Sequence, residues 1–388
     1  MALELPIIRT YTGNGASAYW TGFGAVEIAY DRHGPATAQV TIPRLVAGAT
    51  NPLLKAGSLF PQGEPVLLEI DARALGTNEA SKTVAVPDLW LGRVTDPEAG
   101  DSASSDATIS AGGPRTDLAE HSLPVHSVAP SGPAGALAAE LIRSYPVDLR
   151  VDVGTVHRGR PITSPHNGAT VVEALDSLAE SAAEEYTLVP LPGVARWRMD
   201  WTDGLAPPDL TGASGGPAVT LVDDGLRQNA RVELAYGFVR SRNELVVAGG
   251  AWAHGGLMVV RAAASGPVLG RKAALETLIA TTAVQRHADG AADAYRPDLT
   301  TLPMLEAQTV AALRRQLRPA LAFQADILDT GLWRYMRPLN LVLVRLPGEV
   351  TGLYTEAVAQ IRTATFAVTP PLGCTISGEL WSLECSDD

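Results

Sequence analysis

Val66-Leu67-Leu68-Glu69-Ile70-Asp71 is the stretch on which the reading of this chain turns. Val66, Leu68 and Ile70 take alternate positions, and Glu69 and Asp71 fall on the opposite side. Side chains alternate across a strand, so a period of two describes a sheet with one apolar and one wet face. Upstream, Ala38, Val40 and Ile42 repeat the pattern, with Gln39 and Thr41 between them. Pro43 and the segment from Pro61 to Pro65 bound these runs, as turns do. Downstream, Asp88 to Val94 reads as a third strand, with Leu89, Leu91 and Arg93 on one side and Trp90 and Gly92 on the other. Residues 1–97 are therefore expected to form a β domain.

The character then changes. Residues 97–119 are mostly Pro, Gly, Ser, Ala and Asp without periodicity, which predicts a flexible linker over 98–119 and a domain boundary there. Residues 120–217 alternate helix and strand. Ala134 to Arg143 is a short helix, and Leu149, Val151 and Val153 alternate with Arg150 and Asp152 as a strand. Thr170 and Glu173 have the spacing of a capping box, in which each side chain bonds the other residue's backbone N–H. They open a helical run with Val171, Val172, Leu175, Leu178, Ala182 and Tyr186 close to one face. Tyr186 to Pro190 and Ala195 to Trp201 read as a hairpin.

After the Pro/Gly stretch Gly204 to Pro217, the strand signal returns. Ala230, Val232, Leu234 and Tyr236 alternate with Arg231 and Glu233, and Glu244 to Ala248 is a short apolar run. No clean period holds over 249–269, whereas Lys272 to Gln285 and Met304 to Leu317 are helical candidates, with Pro303 where a first turn tolerates it. Leu341 to Leu346, the alternation Ala364, Phe366, Val368, and Cys374 to Trp381 are strands again. The expected fold is a β-rich α+β multidomain chain. It has two barrel-like β domains, the second split between 218–260 and 336–388, a small α/β domain, and a mainly helical insertion at 261–335.

Composition narrows the function. With 46% hydrophobic and 19% charged residues the chain is expected to fold, and its formal charge of −12 argues against a broad nucleic-acid-binding face. Met1 to Tyr11 lacks the charged flank and apolar run of a signal peptide, and no apolar stretch reaches the roughly 18–20 residues of a membrane helix. No membrane insertion is expected, and synthesis in a cytoplasm follows. Cys374 and Cys385 are the two cysteines. A disulfide between them is sterically conceivable, but two buried or idle thiols are the simpler reading.

The sequence carries catalytic strings without the context that would make them work. Gly212-Ala213-Ser214-Gly215-Gly216 matches G-x-S-x-G, but Pro207, Pro208 and Pro217 place it in a loop, not in the strand-to-helix turn that a serine nucleophile needs. Asp329-Thr330-Gly331 is one copy of a tripeptide whose chemistry requires two carboxylates sharing a proton. His33, His121, His126, His157, His166, His254 and His287 have no metal-ligand spacing, and Asp200, Asp203, Asp209, Asp223 and Asp224 lack the regularity of a calcium loop. Val268 to Lys272 lacks the upstream glycine of a phosphate-binding loop. No catalytic, cofactor-binding or metal residue is therefore assigned, and no cofactor is expected. Two rival readings stay open. A peptidoglycan- or carbohydrate-active enzyme would draw on Asp200, Asp203 and Glu233, and a carbohydrate-binding adhesin module would stack sugars on Trp197, Trp201 and Trp252.

The order of elements resembles the baseplate hub, or tail-associated, proteins at the distal end of phage tails and phage-tail-like particles. Leu67 to Asp71 followed by Trp90-Leu91-Gly92-Arg93-Val94 is similar to the first hub barrel, whose strands commonly end in aromatic-x-Gly-x-Val. Thr170 to Tyr186 resembles the helix of the small α/β domain, and Asn229 to Tyr236 with Arg242 to Val247 resembles the strands opening the second barrel. Gly270-Arg271 is similar to the pair that introduces the insertion. Arg337-Pro338-Leu339-Asn340-Leu341-Val342-Leu343-Val344 resembles the closing segment, although Leu339-Asn340 stand where the family carries Gly-Asp. The resemblance implies a non-enzymatic structural protein in a virion tail tip or baseplate, made in the bacterial host cytoplasm. It implies a homotrimer whose paired β domains form a pseudo-sixfold ring around a channel that passes DNA without sequence-specific binding. Partners would be the tail tube or distal tail protein, the tape measure protein and tip or spike proteins.

Overall fold

A computed structural model of the chain describes residues 6–11, 17–20, 22–51, 66–72, 89–98, 106–123, 131–144, 150–159, 161–163, 169–182, 184–202, 209–212, 218–223, 228–235, 244–251, 257–263, 277–279, 321–346 and 356–384. The first β block comprises β1 (Ile7–Tyr11), β2 (Ser17–Tyr19), β3 (Val26–Asp31), β4 (Gly34–Ile42), the short pair β5 (Leu45–Val46) and β6 (Ala49–Thr50), β7 (Leu67–Asp71), β8 (Leu89–Glu98) and β9 (Ala107–Gly112). Alternation gives β4 the expected inner face, with Ala38, Val40 and Ile42 buried and Gln39 exposed, and its neighbour β3 buries Val26 and Ile28 and exposes Glu27 in the same way.

On β7 the expectation of a wet second face fails. Leu67 is 5% exposed and Glu69 is 0% exposed. Val66, Leu68 and Ile70 join one apolar core, while Leu67, with Tyr11 and Leu91 of the adjacent strands, joins a second core built by the α/β unit. A sheet buried on both faces has no wet side, and period two then describes two different interiors.

The predicted linker over 98–119 is also corrected. Ala107–Gly112 is a strand paired with both β4 and β8, and Pro114–Ala119 is helix α1. Its small residues serve close packing: a Cβ on Gly113 would lie 1.8 Å from the Pro35 carbonyl oxygen. A run of Ala, Ser and Gly reads as linker by composition, yet Ala107, Ile109 and Ala111 do alternate inward.

The α/β unit adds β10 (Ser131–Pro133), α2 (Ala134–Ser144), β11 (Val151–Val156), β12 (Pro161–Thr163), α3 (Val171–Ala182), β13 (Glu185–Leu191) and β14 (Arg196–Thr202). The capping box forms as expected: the Thr170 N–H donates to Glu173 at 2.7 Å and the Glu173 N–H donates to Thr170 Oγ1 at 3.2 Å. Leu175 and Leu178 of α3 are fully buried, each worth about 1.5–3 kcal/mol relative to exposure. Tyr186, placed by periodicity on this helix, lies instead on β13. That strand forms the expected antiparallel hairpin with β14, which pairs in parallel with β11.

The second β block holds β15 (Thr220–Val222), β16 (Ala230–Ala235), β17 (Glu244–Ala251), β18 (Leu257–Ala263), β19 (Thr277–Ile279), β20 (Leu321–Ile327), a 3-10 turn at Thr330–Tyr335, β21 (Leu341–Arg345), β22 (Glu356–Ala367) and β23 (Gly373–Glu384). Where 261–335 was expected to be mainly helical, β19 is a strand parallel to β17, and β20 pairs with both β16 and β23. Met304 to Leu317 lies outside the described residues.

Pairing of β22 with β3 joins the two β blocks into one 13-stranded sheet. Its main path runs β16-β20-β23-β22-β3-β4-β9-β8-β7-β1-β2. Among the described residues this path does not return on itself, so the barrel-like expectation reduces to a β-rich α+β fold with several sheets and a helix-bearing unit inserted between the β blocks. One apolar core spans the join, from Ile70 and Val40 to Phe366 and Trp333.

Candidate functional site

The residues singled out for chemistry do not converge. Asp200 on β14 accepts from Arg198 Nη2 at 2.7 Å and from the Thr155 N–H at 2.8 Å. Glu233 is on β16 of the large sheet, so the two carboxylates belong to different sheets, and Asp203 lies outside the described residues. Asp209 accepts from the Thr211 N–H and hydroxyl, and Asp223 accepts from the Val232 N–H. Asp329 caps the 3-10 turn by accepting from the Gly331 N–H at 2.8 Å. Ser214, Asp224, Val268 to Lys272 and Cys385 lie outside the described residues, as do His126, His166, His254 and His287. Among the described residues no group of three His, Cys, Asp or Glu side chains could hold a metal ion. Cys374 is a buried free thiol whose pKa burial pushes up. Among the described residues no helix is long and apolar enough to cross a membrane.

The tryptophan platform is overturned as well. Trp197 and Trp201 are completely buried, and Trp252 lies outside the described residues. Their indoles are structural donors, Trp197 Nε1 to the Leu91 carbonyl at 3.2 Å and Trp201 Nε1 to the buried Glu184 carboxylate at 2.6 Å.

What the fold does assemble is a polar seam where the α/β unit meets the first β block. At one end Glu69 receives Arg9 Nη1 at 2.9 Å, the Tyr11 hydroxyl at 2.9 Å and the Gly193 N–H at 3.0 Å. Gly193 sits in the turn between β13 and β14, so one carboxylate bridges the two units. Burial, reinforced by this carboxylate, raises the Tyr11 phenol above its ordinary value.

At the other end the β3–β4 turn docks on β13. His33 is 7% exposed and stacks on Tyr186 with ring centroids 4.4 Å apart. The Leu188 N–H donates to the His33 carbonyl at 2.7 Å. Gly34 has φ +122°, and a Cβ there would lie 2.4 Å from the Leu188 carbonyl oxygen. Behind the ring, Arg115 of α1 grips Asp176 of α3 through two 2.7 Å bonds and also donates to the Tyr186 hydroxyl, which donates to Asp176 at 2.7 Å. Burial alone would raise the Asp176 carboxyl, but these bonds and the Arg115 charge hold it below the usual carboxylate range. Burial raises the Tyr186 phenol.

A shallow cleft of about 140 Å³ opens beside this turn, lined by Tyr30, Arg32, Thr187, Met336, Arg337 and Leu339 among others. An apolar surface lies beside the Glu69 end. Ile7 (46% exposed) shares a strand face with Arg9, Tyr19 (64%) is paired with Arg9, whose guanidinium lies 5.2 Å from the Tyr19 ring, and Val194 (55%) follows Gly193. No motif in the sequence marks Glu69, His33, Arg115 or Tyr186 as a functional residue. The signal lies in Leu67, an apolar residue on the supposedly wet face of β7.

No family model matches the chain, and no curated protein matches it. Solved structures do. The tail protein of Neisseria meningitidis MC58 is 15% identical over 98% of this chain and 97% of its own, with a TM-score of 0.56. The 43 kDa tail protein of prophage MuSo2 from Shewanella oneidensis is also 15% identical, over 96% and 98% of the two chains, at 0.54. Prophage tail protein gp18 of Listeria monocytogenes EGD-e is 8% identical over 96% and 94%, at 0.57. The fold is thus one found in tail proteins, two of them from prophages.

Proposed function

We propose that this chain is a structural, non-catalytic baseplate hub protein of a phage tail or phage-tail-like particle. Three copies form a pseudo-sixfold ring that joins the tail tube to the tail tip and leaves a channel for DNA. The observation that carries this reading is the single sheet running through both β blocks. A ring-building subunit needs two laterally fused β units, and the β22–β3 pairing supplies the fusion. Each end of the sheet path, β2 and β16, has one described strand partner, and an edge strand is a ready template for a neighbouring chain. The apolar group Ile7, Tyr19 and Val194 beside the β2 end suits a protein contact. A net charge of −12 suits a channel through which a polyanion slides without sticking.

The neighbours would be the tail tube or distal tail protein, the tape measure protein and tip or spike proteins, at the tail tip of a virion made in the host cytoplasm. The test is reconstruction of the assembled particle by electron cryomicroscopy. Three copies around the tail axis, with both β blocks of each chain lining one ring, are expected. A single copy, or a copy placed off the axis, would overturn the proposal.

A further inference from the structure

We propose that the Asp31–Gly34 turn is an acid-released latch: it holds hairpin β13–β14 on the sheet near neutral pH and lets go when His33 takes up a proton. The hydrogen bonds assign the ring's protonation. Arg32 Nε, which can only donate, lies 2.9 Å from His33 Nε2, so Nε2 is the acceptor. The ring proton then sits on Nδ1 and is donated to the Tyr186 carbonyl at 3.1 Å. Adding a second proton at Nε2 points it at an N–H of Arg32 and breaks that bond.

The surroundings offer the new charge little. The turn itself contributes Asp31 and Arg32, α1 contributes Arg115, α3 contributes Asp176, β13 contributes Tyr186, and Arg337 lines the cleft alongside Asp31 and Arg32. Of these, two guanidinium groups, Arg115 and Arg32, and two carboxylates, Asp31 and Asp176, act on the ring. Both carboxylates are already engaged, Asp31 by the His33 N–H at 2.7 Å and Asp176 by Arg115 and Tyr186. Burial, then the Arg115 charge, therefore hold the imidazole below its ordinary value.

The sign follows from linkage. With the folded value depressed below an unfolded value of about 6.5, the dock is fully stabilised above that pH and weakens as pH falls through the folded value. Asp176, also depressed, loses its contribution in the same direction but only in the more acidic carboxylate range. Asp117 on α1 is raised by burial and contributes with the opposite sign. The interval from about pH 7.5 to about 5.5 spans the ordinary imidazole value, and a variant without the imidazole separates its contribution from those of the carboxyl groups.

The experiment is amide hydrogen exchange on the full chain at those two pH values, corrected for intrinsic exchange rates. Leu188, whose N–H is held by the His33 carbonyl, reports the latch, and Ile361, whose N–H donates to Asn340 at 3.0 Å, reports the core. At the lower pH, Leu188 protection is expected to fall by up to about tenfold, the ceiling set by an unfolded value of about 6.5, while Ile361 protection holds. In H33N, which keeps an N–H for the Tyr186 carbonyl, the fall is expected to vanish. Unchanged Leu188 protection in the unaltered chain, or an equal fall in H33N, would overturn the proposal. Should H33N not fold, a titration of the His33 ring by NMR in the unaltered chain decides: a midpoint below about 6.5 supports the latch and one at or above that value sinks it.

Discussion

Glu69 and His33 both reach from the first β block to hairpin β13–β14, one at its turn and the other along its β13 strand, yet they hold it by different means. Glu69 is a charge taken completely out of water and matched by a guanidinium, a hydroxyl and a backbone N–H. His33 is a neutral ring held by stacking and by backbone groups. A buried carboxylate with fixed partners is costly to disrupt at any pH where it stays ionised, whereas a buried imidazole loses its place by gaining one proton. One end of the seam is thus built as an anchor and the other as a release point.

Removing the anchor is expected to have the largest effect. Glu69→Leu leaves Arg9 and the Gly193 N–H without their carboxylate and is expected to lower stability by about 2–3 kcal/mol in urea unfolding. That lies toward the low side for a broken buried pair because Arg9 is 24% exposed. Gly34→Ala should cost about 2 kcal/mol through its positive φ and the contact with Leu188, with the loss of exchange protection concentrated on β13. If protection falls equally across β22 and β23, the turn is not a local dock. Tyr186→Phe removes the hydroxyl that joins Arg115 to Asp176 and should cost about 1 kcal/mol, measured as a shift of the unfolding midpoint. A larger loss would make the Arg115–Asp176 pair dependent on the ring hydroxyl.

The smallest expected effect has the opposite sign. Leu339, across the cleft from the β3–β4 turn, has φ +74°, a left-handed conformation that favours glycine. Leu339→Gly relieves that strain, but it also frees the unfolded chain and removes a side chain from the cleft wall. The balance should stabilise the chain by about 0.5 kcal/mol in the same unfolding assay. Destabilisation would mean that Leu339 packing in the cleft outweighs its backbone strain.

Leu339 also illustrates how much of the molecule could be read in advance. It stands where the sequence resemblance expects glycine, and its φ of +74° is a conformation that glycine adopts readily. The capping box at Thr170 and Glu173, the β13–β14 hairpin and the inward alternation of β4 were all legible, because each depends on residues close in sequence. Strand β9 was not, since Ala, Ser and Gly carry little strand propensity of their own and are held by β4 and β8. Strand β19 is hidden for a related reason: Thr277–Ile279 lies within an apparent helical period, and its parallel partner β17 is distant in sequence. Tyr186 fits a helical face by spacing, but it is a strand residue whose ring lies against His33.

The amino-acid sequence by itself determined the local elements: strands with period two, a capped amphipathic helix, and a β-rich chain interrupted by an α/β unit. Tertiary structure alone decided which faces are buried twice and which polar groups meet. Periodicity along Val66 to Asp71 distinguishes one side of a strand from the other, but it cannot say that a second unit covers the polar side. Glu69 therefore reads as a solvated carboxylate until the turn at Gly193 arrives to bond it. His33 likewise becomes a buried, stacked ring only because Tyr186 of β13, 153 residues away, lies against its turn.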